Sequence, residues 1–204
     1  MFLMFVLIVM LIDLLIPFLI AIPYKNYNYT QTVMSVLGCK RSPLGTLYNF
    51  WMIISGCTIT LFGYYIFEYY SYIYNGLAIT LLIMFILYGI GDEVISGIFP
   101  INEQKDNVTL STKIHGVGSV LGFISLQVAP FLLSILQFRK NQPIFGILSL
   151  VFFVLSLISF VFFVLGENQK FKNTIFALSG LWQRMICALS YAPFMIWIIV
   201  RFLG

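Results

Sequence analysis

The stretch FLMFVLIVMLIDLLIPFLIAIP, residues 2–23, is apolar apart from Asp13 and decides the class of fold. With a rise of about 1.5 Å per residue, a helix of this length crosses a hydrocarbon core of about 30 Å. The stretch lacks the basic start and the small-residue cleavage site of a signal peptide, so we predict a membrane helix that is retained. An acid at the depth of Asp13 is costly and requires a partner.

The rest of the chain has the same apolar character. Of its 204 residues, 61% are hydrophobic and 9% are charged, which leaves too little polar surface for a soluble globule. Because the apolar runs are continuous rather than alternating, they predict helices and not a β-barrel. The net charge of +4 is scattered between these runs, so we expect membrane lipids as partners and no nucleic acid. The three cysteines show no CxxC spacing and predict no disulfide or zinc framework.

The apolar runs predict an all-α polytopic membrane protein, with six transmembrane helices in one bundle that forms a single domain over residues 1–204. The predicted helices cover residues 2–23, 47–67, 73–91, 115–138, 144–165 and 175–203. A tight turn within a tyrosine-rich interface belt joins the second to the third. A loop through Glu103, Lys105 and Asp106, expected to be exposed, precedes the fourth.

Polar residues concentrate at one surface of this predicted topology. Asp13 lies ten residues before Pro23, and Arg184 about as far beyond Lys172, so both are expected about 15 Å below the same surface. We therefore predict that Asp13 and Arg184 form an ion pair. Thr32, in the loop predicted over residues 24–46, joins from the same side.

The same surface collects candidate catalytic residues. Asp92 and Glu93 end the predicted third helix there, and His115 begins the fourth; a histidine titrates near neutrality, and a nearby carboxylate orients it. Ser119, one turn after His115, and Ser35, brought close by folding, are candidate nucleophiles. There is no HExxH spacing, and adjacent Asp92 and Glu93 point to different sides of a helix, so no metal and no other cofactor is predicted.

Each of these features also has a structural explanation. A buried Asp13–Arg184 pair would fix the packing of the first helix on the sixth whatever the function. His115 would cap a helix end or face lipid head groups, and Asp92 and Glu93 would be solvated interface residues. The fourth helix opens with small residues suited to close helix packing, namely Gly116, Gly118, Ser119 and Gly122.

Three separated stretches stand out, namely YTQTVMSVLG (residues 29–38) with Ser42-Pro43, SGIFP (residues 96–100) followed by His115, and GLWQR (residues 180–184). In this order they resemble the prokaryotic membrane proteins grouped as domain of unknown function 998. The likeness covers most of the chain. It implies a similar helix number and loop placement, and a location in the bacterial cell membrane.

The resemblance also implies one site built from Ser35, Phe99, Pro100, His115, Gln183 and Arg184. Relatives often carry an acid two residues after the Phe-Pro pair, where this chain has Asn102. If that acid is catalytic, Asp92 or Glu93 must replace it here. The candidate ligand-binding residues are Asp13, Arg184, Gln183, Thr32, Phe99 and Asn102.

The favoured function is the binding or modification of a lipid or lipid-like molecule. Its enzymatic version is a hydrolase or transferase with His115 as the base. A transport path normally needs a continuous polar stripe, which the remaining helices do not show. A non-enzymatic protein of envelope stress or peptide resistance and a small transporter stay open as alternatives, as do a protein partner and an oligomer.

Overall fold

The computed structural model describes residues 1–102 and 109–203, and these form helices joined by turns and loops, with no strand among them. The predicted loop residues Glu103, Lys105 and Asp106 lie outside this part of the chain. The main elements are α1 (Phe2–Ala21), α2 (Gly45–Ile86), a π-helix (Leu87–Val94), α3 (Ile95–Ile98), α4 (Leu110–Arg139), α5 (Pro143–Gly166) and α6 (Ser179–Leu203). Short 3-10 turns cover Met34–Gly38, Gln169–Phe171 and Ile175–Ala177.

Five helices of the described chain are long and apolar enough to cross a membrane, rather than the predicted six. The predicted helices over residues 47–67 and 73–91 both fall within one stretch of 54 residues, Gly45–Ile98. Within it, Tyr74 alone leaves helical geometry, with φ of −151° and ψ of 79°. The expected loop between the two helices is thus reduced to a break of one residue.

The two arms on either side of Tyr74 lie antiparallel. A Cβ at Gly63 would overlap Phe85, and one at Gly56 would overlap the carbonyl oxygen of Gly89. A residue later in the first arm therefore contacts a residue earlier in the second arm, as expected for antiparallel helices. The stretch is a hairpin of two helices, and glycines set the close approach of its arms.

The fourth predicted helix begins earlier than expected, at Leu110 rather than at His115. The Thr109 side chain accepts a hydrogen bond from the Thr112 backbone N–H, which caps the first turn. His115 consequently lies in the second turn and is buried. A capping or head-group role at the helix end does not fit this position.

Aromatic and basic side chains gather at the end of the bundle that carries the chain termini. Trp197 donates a hydrogen bond of 3.0 Å to the hydroxyl of buried Tyr70. The Lys140 ammonium and the Arg201 guanidinium each lie 3.4 Å from the centre of the Tyr69 ring. Such cation–π contacts join the tip of the hairpin to the α4–α5 turn and to the end of α6. We call this the terminal end, and the opposite end, which carries the first loop (residues 22–44), the loop end.

The π-helix packs directly against α4. A Cβ at Gly118 would overlap the backbone oxygen of Gly91, and one at Gly122 would overlap the side chain of Asp92. The predicted packing role therefore holds for Gly118 and Gly122. It does not hold for Gly116, where an added Cβ would meet open space.

We expect Gly118→Ala to lower the free energy of unfolding by about 1–3 kcal/mol, because the added methyl group forces α4 away from the Gly91 backbone. Thermal unfolding of the purified protein in detergent measures the change. Gly116→Ala, two residues away and in open space, is the matched control and should keep the wild-type Tm or raise it slightly. Equal Tm values for the two variants would contradict this packing.

Candidate functional site

A cavity of about 970 Å³ lies at the loop end, between the first loop, the π-helix, α4, the end of α5 and the start of α6. Many of the predicted site residues line it, namely Thr32, Ser35, Asp92, Glu93, His115, Ser119 and Gln183. Most of the remaining lining is apolar and comes from α4 and α5, including Val120, Phe123, Phe160 and Phe163. The cavity thus combines a polar group of side chains with an apolar wall.

Asp92 and Glu93 are buried residues of the π-helix, whereas the sequence placed them at a helix end on the membrane surface. The helix continues beyond them through α3 to Ile98, which removes them from the surface. A π-helix widens the helical turn and occurs frequently at functional sites. The two side chains diverge, as predicted for neighbours on a helix, yet both reach the cavity.

Glu93 packs against α2 beside Gly56, and Asp92 packs against α4 beside Gly122. The Tyr88 hydroxyl lies 3.1 Å from Glu93 Oε1, while the other carboxyl oxygen, Oε2, is buried without a hydrogen-bond partner. The Ser119 hydroxyl lies beside the Asp92 carboxyl and 3.2 Å from the Ser96 hydroxyl. Of the two acids, Glu93 carries the unsatisfied atom.

His115 is oriented by the backbone rather than by an acid. Its Nδ1 lies 3.2 Å from the carbonyl oxygen of Phe99, which accepts the Nδ1–H. In a neutral ring, Nε2 is then an acceptor. Within the described residues, no hydrogen bond joins His115 to Ser35 or Ser119, so the predicted base and nucleophiles are neighbours along the cavity without being paired.

Asp13 and Arg184 do not form the predicted ion pair. Trp51 Nε1 donates a hydrogen bond of 2.8 Å to Asp13 Oδ1, and the Tyr191 hydroxyl donates one of 2.9 Å to Oδ2. An indole and a phenol thus satisfy the acid that the sequence assigned to an arginine. These two bonds join α1 to α2 and to α6.

Arg184 instead holds the first loop. Its Nη1 donates to the carbonyl oxygens of Tyr29 and Gly180, and its Nη2 donates to the Tyr27 hydroxyl, each at 2.8 Å. Burial raises the pKa of Tyr27 despite the neighbouring Arg184 charge, so this phenol stays protonated and offers its oxygen as an acceptor. Gln183 adds a second link, because its Oε1 accepts a bond of 2.6 Å from the Met34 N–H.

The sequence did not predict a hydrogen-bonded chain of four side chains, in which Asp13 is half-buried and the other three are buried. The Tyr88 hydroxyl lies 2.7 Å from that of Tyr191, so hydrogen-bonding contacts run from Glu93 through Tyr88 and Tyr191 to Asp13. We call these four residues the carboxyl–tyrosine chain. Tyrosines in apolar helices indicate interface residues by default. The one feature of the sequence that pointed to this chain was that the carboxyl groups of Asp13 and Glu93 need hydrogen-bond partners within the apolar bundle.

The remaining predicted residues lie apart from the cavity lining. Phe99 contributes its carbonyl group to His115, and the Pro100 carbonyl accepts a bond of 3.0 Å from the Ser111 hydroxyl. Asn102 Nδ2 donates a bond of 3.2 Å to Thr109. In residues 1–102 and 109–203, no three His, Cys, Asp or Glu side chains are close enough to hold a metal ion.

The long apolar helices and the cavity with its buried acids define a polytopic α-helical membrane protein. The family described as "Protein of unknown function (DUF998)" matches residues 7–201, and the chain belongs to this family. No curated protein and no solved structure matches the chain.

We expect Arg184→Ala to speed amide hydrogen exchange in residues 27–36 by at least about tenfold, because the loop loses charge-assisted hydrogen bonds of about 1.5–3 kcal/mol each. Hydrogen–deuterium exchange with mass spectrometry measures the uptake. Asp13→Asn is the control and should leave this loop unchanged, because Asp13 does not contact Arg184. Equal loosening by both substitutions would revive the ion-pair interpretation.

Proposed function

We propose that the protein binds a membrane amphiphile in the cavity, with the head group beside the buried acids and the acyl chain against α4 and α5. The supporting observation is that the apolar wall is open on one side. Val120 and Ile124 line the cavity, yet their side chains are 60% and 48% exposed. In a bilayer, such an opening faces lipid.

The packing of α4 on α5 explains where the wall opens. Toward the terminal end, Ser149 donates a bond of 2.7 Å to Gln137, and Ser156 donates one of 2.9 Å to Gln127. The Phe123 and Phe163 rings stack next, with their centres 6.4 Å apart. Beyond this ring pair both helices line the cavity, which leaves a lateral entrance at the loop end.

The size and composition of the cavity suit an amphiphile. Its volume of about 970 Å³ lies at the upper end of ligand sites, which span about 300–1,000 Å³. Such sites are mostly apolar and hold a few polar groups that orient the ligand. The geometry supports binding more directly than catalysis, because His115 is not hydrogen-bonded to Ser35 or Ser119.

We also infer that the Gly45–Ile98 hairpin crosses the membrane twice, which makes six passes in all. Its 54 residues would extend about 81 Å as a straight helix, well over twice a hydrocarbon core of about 30 Å. The antiparallel contacts of its arms and the basic side chains around its tip support a return to the opposite surface. The composition and the family suit a bacterial cell membrane.

Site-directed labelling checks the six passes. In a Cys57→Ser background, Tyr72→Cys at the hairpin tip and Lys140→Cys should react with a membrane-impermeant maleimide from one side. Lys172→Cys, at the loop end, should react only from the other side. Tyr72 is 91% exposed, so its position suits the reagent if it lies outside the membrane. An unreactive Tyr72→Cys, or one that labels together with Lys172→Cys, would contradict two crossings.

We expect Gly116→Leu to weaken lipid binding by at least about fivefold, because the new side chain enters the cavity from a position with open space around it. Native mass spectrometry of the detergent-purified protein measures the lipid retained. Gly76→Leu is the matched control, since Gly76 is also helical and in open space but does not line the cavity. Equal lipid retention by both variants would argue against a binding role for the cavity.

A further inference from the structure

Glu93 lines the cavity and carries an acceptor atom that has no hydrogen-bond partner. The residue is 7% exposed and lines the cavity, and its Oε2 atom is buried without a hydrogen-bond partner. A buried polar atom left unsatisfied is expensive, by about 1–3 kcal/mol and more when it is charged. The position therefore suits a ligand that brings a donor.

The carboxyl–tyrosine chain requires a proton from one of its two carboxyl groups. Its three contacts, of 3.1, 2.7 and 2.9 Å, each join two oxygen atoms and each need one hydrogen between them. Tyr88 and Tyr191 supply one hydrogen each. The third must come from a carboxyl group, so we assign one proton and one negative charge to Glu93 and Asp13 together.

Without a ligand, this proton belongs on Glu93. Asp13 accepts a further hydrogen bond from the Trp51 indole, whereas the second oxygen of Glu93 has no donor. Donors stabilise the ionised form of a carboxyl group. The hydrogen bonds then run in one direction, from the Glu93 carboxyl through Tyr88 and Tyr191 to the Asp13 carboxylate.

The groups around Glu93 favour a cation as the missing donor. Asp92 and His115 add a carboxyl group and an imidazole to the lining, while Ser96 and Ser119 lie within hydrogen-bonding distance of each other. Tyr48 and Cys187, the other titratable groups near the chain, carry no positive charge.

The described basic side chains near the cavity do not pair with Glu93. The Arg184 guanidinium is directed to the first loop and to the Gly180 carbonyl. Among the described residues that line the cavity, the basic one is Lys172, which follows the short turn Gln169–Phe171 at the loop end.

We propose that the cavity selects an amphiphile whose head group is a primary ammonium, and that Glu93 binds this ammonium. This inference rests on the proposed function and names its ligand class. Binding favours an ionised Glu93, so the O–H bond of Glu93 breaks and an O–H bond forms on Asp13. Tyr88 and Tyr191 each pass on one proton and receive one, and no proton enters or leaves the protein.

Two probes that share the same dodecyl chain but differ in head group test the proposal. We expect wild-type protein in detergent to bind dodecylamine at least about tenfold more tightly than dodecanol, as a charge-assisted hydrogen bond predicts. Glu93→Gln, which keeps the shape of the side chain, should remove this preference. Glu68→Gln is the matched control, because Glu68 is exposed and outside the cavity lining, and it should retain the preference.

The outcomes separate the two proposals. If wild type binds dodecylamine and dodecanol equally, the ammonium inference is overturned and amphiphile binding stands. If it binds no alkyl probe and retains no lipid, both fall. Infrared difference spectra follow the proton: Glu93→Gln should remove the protonated-carboxyl band of the free protein, and Asp13→Asn that of the dodecylamine complex. A band in the complex that survives Asp13→Asn would overturn the transfer.

Discussion

The structure depends on the requirement that a carboxyl group inside an apolar bundle finds its hydrogen-bond donors within the protein. Asp13 meets it with the Trp51 indole and the Tyr191 phenol, which belong to α2 and α6. One acid on α1 therefore specifies which two helices α1 must contact. At Glu93 only one of the two carboxyl oxygens has a partner, and this is why we expect a ligand there.

The π-helix holds two carboxyl groups, those of Asp92 and Glu93, at the cavity. Gly89 allows contact with the Gly56 backbone of α2, and Gly91 lies against Gly118 of α4, so the segment is held closely on two sides. A segment held this tightly cannot relax to move Asp92 and Glu93 toward water. Two acids are thereby kept at a cavity whose remaining lining is mostly apolar.

The sequence predicted the helical membrane class of the fold and the end of the bundle where the cavity lies, because apolar run length and residue depth are both read directly along the chain. It did not predict the partners of Asp13 and Arg184. Opposite charges at equal depth indicate an ion pair, but phenol, indole and carbonyl groups satisfy the same charges from positions that only folding brings together. The turn predicted between residues 67 and 73 lies slightly later, at Tyr74. The π-helix was not predicted, because the residue pattern does not distinguish it from an α-helix.

The carboxyl–tyrosine chain bears on the choice between binding and transport. A conducting path must continue beyond its last polar group, yet α1 proceeds from Asp13 toward the terminal end through Met10 and Val6, both buried in the apolar core. A proton that reaches Asp13 therefore has to return through Tyr191. Such a chain suits a proton transfer between Glu93 and Asp13 that accompanies ligand binding. For this reason we propose a binding cavity rather than a pore.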